Sequence, residues 1–169
     1  MIYVESPQIY HLAPKPWVFM AGGITNCPDW QQDLRRLLES DEVPGSMLNP
    51  RRANFPIDDP NAARQQIEWE FHALNMANVF SVWFSAGPSP QPICMYELGR
   101  HLARWEEQDR YDRKRGAGGL EICIGVEPGY VREQDVRIQT ELVTEYVEIS
   151  TSLEEHAERI KESVEWMTA

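Results

Sequence analysis

Apolar runs of strand length alternate with stretches of helical period along most of this chain. The runs are Trp17-Val-Phe-Met-Ala21, Ser46-Met-Leu-Asn49, Val79-Phe-Ser-Val-Trp-Phe84, Leu120-Glu-Ile-Cys-Ile-Gly-Val126 and Tyr146-Val-Glu-Ile149. Between them, Trp30, Leu34, Leu37 and Leu38 share one helical face behind Asn26 or Asp29 as N-cap. A second helix is expected from about Asn61 to Met76, with Ile67, Phe71 and Leu74 inward. A third starts near Pro92 and runs to Trp105 or beyond. Arg132 to Val143 reads as a fourth, and Ser152-Leu-Glu-Glu155 is a capping box opening the last. Residues 1–16 read as a short strand or extended arm and a loop, and 106–119 as a solvated helix tail and loop.

Strands alternating with helices imply a mostly parallel sheet covered on both faces. The expected fold is therefore α/β, a three-layer sandwich with a five-stranded, flavodoxin-like sheet. Residues 1–169 show no repeat and no linker, so one domain is expected. In such a fold the loops after the first three strands meet on one rim, where ligands bind. Those loops hold Gly22-Gly23, Asn49 to Phe55, and the proline-rich segment before Glu97.

Charge narrows the partners. A formal net charge of −11 argues against coating nucleic acid or an anionic membrane. No apolar run is long enough for a transmembrane helix, and the first residues lack a signal-peptide pattern. Three cysteines without metal-ligand spacing read as reduced thiols of a cytoplasmic protein. The histidines are scattered, and no carboxylate-histidine cluster has metal-ligand spacing.

Glu97 is the leading acid. Near a helix start, the macrodipole is expected to keep it ionised, which suits a nucleophile. Tyr96 beside it and Gly99 two residues on suggest close packing there. On the preceding helix, Glu68 and Glu70 point in different directions, and at most one can face a pocket. A pocket acid opposite Glu97 would make a two-carboxylate glycosyl-transfer site. Arg51, Arg52 and Asn54 can bind a phosphate, a base edge or a hydroxyl, or stand as a solvated loop. Gly22-Gly23 is not a dinucleotide fingerprint, because Thr25-Asn-Cys-Pro28 follows where a third glycine would be needed. Cys94 reads as a buried structural thiol.

Several pieces together resemble the nucleoside 2-deoxyribosyltransferase family in its broad sense. They are Phe19-Met-Ala-Gly-Gly-Ile24, Asp29-Trp30, Leu48-Asn-Pro-Arg-Arg52 with Asn54-Phe-Pro56, Ile67-Glu-Trp-Glu70, Ala77-Asn-Val-Phe80 and Tyr96-Glu-Leu-Gly-Arg100. Gly129-Tyr-Val-Arg132 adds to the likeness. The resemblance implies base exchange on 2-deoxyribose through a covalent glycosyl-enzyme, with neither cofactor nor metal. It puts the nucleophile on Glu97 and the base-binding acid on Glu70, where many members carry Asp. Phe19, Gly22 and Gly23 would line the base and sugar site. Asn49, Arg52, Asn54 and Phe55 would hold the base. Members often carry an Asp shortly before the nucleophile; here Ser85 to Pro92 has none, so Ser89 or Gln91 would meet the sugar. The implied partners are nucleosides, nucleobases and, in a homo-oligomer, further copies of the chain. Two other readings share the pocket: a nucleoside or nucleoside 5′-monophosphate N-glycosidase, with Arg51-Arg52 as phosphate site, and a non-catalytic nucleotide-binding module.

Overall fold

A computed structural model describes residues 1–39, 43–112 and 119–169. Among them are six strands and five helices. The strands are β1 (Ile2–Glu5), β2 (Trp17–Gly22), β3 (Ser46–Asn49), β4 (Val79–Phe84), β5 (Glu121–Val126) and β6 (Ile149–Ser150). The helices are α1 (Trp30–Glu39), α2 (Ala62–Met76), α3 (Pro92–Asp112), α4 (Glu133–Val143) and α5 (Leu153–Thr168). Every strand pair is parallel, in the order β1-β3-β2-β4-β5-β6. Without β1 this is the flavodoxin-like order. The sheet thus has six strands rather than the five expected, because the N-terminal arm pairs along β3, Ile2 beside Ser46 through Glu5 beside Asn49. The last strand is shorter and later than expected, pairing only Ile149 and Ser150 with β5.

Alternate residues of each central strand enter two cores. Phe19, Ala21, Phe80, Val82 and Phe84 pack with Trp69, Ala73, Leu98 and Leu102, on the side of α2 and α3. Val18, Met20, Val79 and Trp83 pack with Trp30, Leu34, Leu38, Ala157, Ile160 and Val164, on the side of α1 and α5. Both faces of the sheet are covered, which is why its strands read as continuous apolar runs. The capping box of α5 forms as expected: Ser152 Oγ accepts from Glu155 N at 3.2 Å. Asp29 caps α1 through Gln32 N at 3.4 Å, while Asn26 takes a left-handed turn (φ 59°).

The inward face of α2 differs from the expected one. Ile67 and Phe71 are exposed, and Trp69 and Ala73 join Leu74 in the core. Trp69 fixes this choice: its indole N–H donates to Gln8 O at 2.8 Å, and its ring lies edge-on to Tyr10. The rotation carries Glu70 toward the sheet's carboxyl edge and leaves Glu68 outside, paired with Arg64 at 2.7 Å. Of the expected 106–119 tail, residues 106–112 continue α3, and 113–118 lie outside the described residues.

Candidate active site

One cleft opens at the carboxyl ends of β2, β3 and β4, with a volume of about 270 Å³. Phe19 and Ala21 form its floor, and the turn Gly22, Gly23, Ile24, Thr25 forms one wall. Pro50 contributes from the loop after β3, and Glu70 from α2. Ser89 and Gln91 come from the loop after β4, and Pro92, Ile93, Cys94 and Glu97 from α3.

The turn after β2 has no room for side chains. A Cβ on Gly22 would lie 2.3 Å from the Trp30 ring and 2.5 Å from Trp83 O. One on Gly23 would meet Cys27 Sγ at 2.3 Å and Gln91 Oε1 at 2.7 Å. Gln91 locks this turn to the next loop. Its Oε1 accepts from Gly23 N at 3.0 Å, and its Nε2 donates to Ser85 O at 2.9 Å. Tyr130 braces the same loop from behind. Its hydroxyl donates to Pro90 O at 2.7 Å and its ring stacks on Phe84. Glu127 Oε2 accepts from Ala86 N at 2.7 Å. The segment Gly129 to Arg132 therefore serves the cleft through its supporting loop.

Two carboxyls from different helices face this cleft and feel each other. Burial, and next the charge of Glu70, push the Glu97 carboxyl up to about 8, with Arg100 opposing. Burial also raises Glu70, opposed by a hydrogen bond from Gln66 and the charge of Arg52. The expectation that the macrodipole keeps Glu97 ionised is corrected. Glu97 lies in the second turn of α3, which has no acid in its first turn. The dipole fades beyond the first turn, so desolvation and like-charge repulsion prevail. Gly99 and Tyr96 also differ from expectation. A Cβ on Gly99 would meet nothing within 4 Å, and Tyr96 is largely exposed.

Of the residues expected to bind substrate, Phe19, Gly22, Gly23, Ser89 and Gln91 line the cleft with both acids. Asn49, Arg52, Asn54 and Phe55 are not part of its wall. Asn49 is buried, donating to Tyr3 Oη at 2.5 Å and accepting from Arg51 N at 2.9 Å. Arg52 donates to Gln65 Oε1 at 3.1 Å and sits over the Phe55 ring. Arg51 turns away from the cleft, with Nη1 donating to Pro28 O at 2.6 Å and Gln31 Oε1 at 3.2 Å. Pro50 is the residue of this loop that reaches the cleft. Cys94 lines the cleft as a thiol that burial pushes up to about 12, so it is no nucleophile. Sequence reasoning passed over Ile24, Thr25, Ile93 and Gln66. Gln66 was findable, because it precedes Glu70 by one helical turn. Among the described residues, no group of three or more His, Cys, Asp or Glu gathers with metal-holding geometry. No described helix is long and apolar enough to cross a membrane.

The fold is of the flavodoxin-like α/β class, with the cleft at the switch point of its parallel sheet, the place where folds of this class bind ligands. Within that class the chain belongs to the nucleoside 2-deoxyribosyltransferase-like family, whose model matches residues 15–108. That match takes in β2 through most of α3, and so both acids and every other residue of the cleft wall. No curated protein matches the chain.

Proposed function

We propose that the chain is a nucleoside 2-deoxyribosyltransferase that exchanges nucleobases with retention through a glycosyl-Glu97 intermediate. The observation carrying this reading is the Glu70–Glu97 pair, coupled across one cleft of nucleoside size. Two raised, interacting carboxyls titrate as a unit, and near neutrality the pair holds one proton. The productive form has Glu97 ionised and Glu70 protonated.

In the first half-reaction, a Glu97 oxygen attacks C1′ on the face opposite the base. The glycosidic C–N bond breaks as Glu70 delivers its proton to the departing base. An ester between Glu97 and the 2-deoxyribosyl group remains. In the second half, a different base occupies the vacated place. The Glu70 carboxylate removes its N–H proton as the ring nitrogen attacks C1′ and frees Glu97. Two displacements give retention, an outcome that requires the two carboxyl groups to stand about 5 Å apart.

The cleft composition favours a nucleoside over a nucleotide. No Lys, Arg or His is among its lining residues, and Arg51 is held by carbonyl oxygens elsewhere. A 5′-phosphate would therefore bring negative charge to two acids without a counter-ion in the wall. Both ends of the Gln91 amide are already bonded, which leaves Ser89 as the loop side chain for a sugar hydroxyl.

The test is deoxyinosine incubated with the protein, with and without free adenine. New deoxyadenosine, formed at the expense of adenine, is the expected result. Hypoxanthine release indifferent to adenine would establish a hydrolase instead. Stabilisation by nucleosides with no product would establish a binding module.

A further inference from the structure

Glu70 is held from behind by a short chain of hydrogen bonds that the reaction itself does not use. Gln66 Nε2 donates to Glu70 Oε1 at 2.6 Å and to Pro50 O at 2.5 Å. Gln66 Oε1 accepts from Ser6 Oγ at 2.9 Å. Ser6 is itself buried, and its backbone N–H donates to Asn49 O at 2.9 Å, extending the β1–β3 ladder. The chemistry of these groups permits one orientation of the Gln66 amide. Pro50 O is a carbonyl and can only accept, so the NH₂ end must face it. The same NH₂ group then faces Glu70 Oε1. A proton on Oε1 would make it a poorer acceptor for that amide and weaken the bond, whereas a proton on Oε2 leaves it intact. Oε2 has no hydrogen bond from any described residue.

We propose that Gln66, fixed by Ser6 and Pro50, is a positioning residue that reserves Glu70 Oε1 as an acceptor and confines the transferable proton to Oε2. The inference rests on the acid role given to Glu70 above. It assigns the N-terminal arm and the first turns of α2 a share in the chemistry, although neither Ser6 nor Gln66 lines the cleft. A carboxylic acid whose proton can sit on either oxygen presents it to a departing base only part of the time. Fixing one oxygen removes that loss and aims the proton, which is the kind of orientation on which general-acid efficiency depends.

Besides Gln66, the charge of Arg52 from the loop after β3 acts on Glu70, and the charge of Glu70 in turn raises Glu97 and the Cys94 thiol on α3. A Gln66 substitution leaves these charged groups in the chain and removes the amide donor alone. Losing the amide donor removes an interaction that favours the ionised carboxyl, so the carboxyl must titrate at higher pH.

The experiment has one arm that needs no turnover and one that does. In the first, the side-chain carboxyls of ¹³C-glutamate-labelled protein are titrated by NMR, with Glu70 assigned through Glu70→Gln. Gln66→Leu should move the Glu70 midpoint upward by at least half a pH unit. Ser6→Ala, which leaves Pro50 to orient the amide, should move it by less and in the same direction. An unmoved Glu70 midpoint in folded Gln66→Leu overturns the proposal. If Gln66→Leu does not fold, an unmoved midpoint in Ser6→Ala overturns it. In the second arm, Gln66→Leu should lower kcat for deoxyinosine by about 10- to 100-fold, with KM changed less. It should move the alkaline limb of the pH profile upward. A 7-methylpurine deoxynucleoside, whose base leaves without needing a proton, should lose less than threefold. Equal losses for both donors would make Gln66 merely structural. Wild-type protein inactive on every deoxynucleoside would refute the proposed function while the NMR arm still decides the relay.

Discussion

Two polar side-chain pairs, each with a displaced pKa, lie on opposite faces of the same sheet. On the α2/α3 side, Glu70 and Glu97 face the cleft. On the α1/α5 side, His156 Nε2 meets Ser81 Oγ at 2.8 Å, with both residues fully enclosed. Burial lowers the His156 imidazole to about 3, as marked a displacement as that of Glu97. A serine beside a histidine also looks more like a nucleophile and base than two glutamates do. Yet Trp83, Gly125 and Ala157 seal that pair within the second core. The difference between the pairs is access. A displaced pKa marks how far a group has been taken from water, and only an adjoining space for a ligand turns it into chemistry.

The comparison breaks first at Glu97. Glu97→Gln should lower base exchange by about 10⁴-fold or more while the fold persists, since the other carboxyl lining the cleft, Glu70, is given to proton transfer in the proposed reaction. Retention of near-normal exchange, followed by chromatography of the bases, would remove Glu97 from the role. Glu70→Gln should lower exchange by about 10²–10⁴-fold and flatten the alkaline limb of the pH profile. In the unmodified protein that limb should fall near pH 8, where the pair loses its shared proton, and kcat/KM across pH 5–10 reads it directly. His156→Ala provides the contrast. It should cost about 2–4 kcal/mol in denaturant unfolding, from the cavity and an unpaired Ser81 hydroxyl, yet leave kcat/KM within about twofold. A large activity loss at unchanged stability would give the sealed pair a function.

The smallest effect concerns stability. A raised carboxyl is neutral in the folded state below its folded pKa, and folding grows costlier as pH climbs through that value. Glu97→Gln removes the cost. It should raise the melting temperature at pH 9 by about 2–4 °C, the shift of roughly 1 kcal/mol in a chain this long, and change little at pH 4. Equal gains at both pH values would argue against a raised Glu97.

The central strands were legible because burial on both faces leaves them apolar throughout. Strand β1 was legible only as a short strand or an extended arm, since Ile2-Tyr-Val-Glu5 is short, half exposed and polar at its end. The face of α2 was ambiguous on spacing alone. Ile67 and Phe71 form one apolar pair a turn apart, and Trp69 and Ala73 another. A distant carbonyl, Gln8 O, tips the balance toward Trp69. The acids came from the family likeness, whereas Asn49 to Phe55 shows what such a likeness misses. Its side chains are committed to Tyr3, Gln65, Pro28 and Cys27, partners that come together only in three dimensions.

The Gln91 clamp also divides the rim for evolution. Gly22, Gly23 and Gln91 are mutually fixed, and any side chain added to either glycine meets an atom closer than 3 Å. Ile24, Thr25 and Ile93 stand on the same rim with exposed side chains. Selection for a bulkier or smaller base would find its room at those three positions. The glycine turn would then pass unchanged from one specificity to the next.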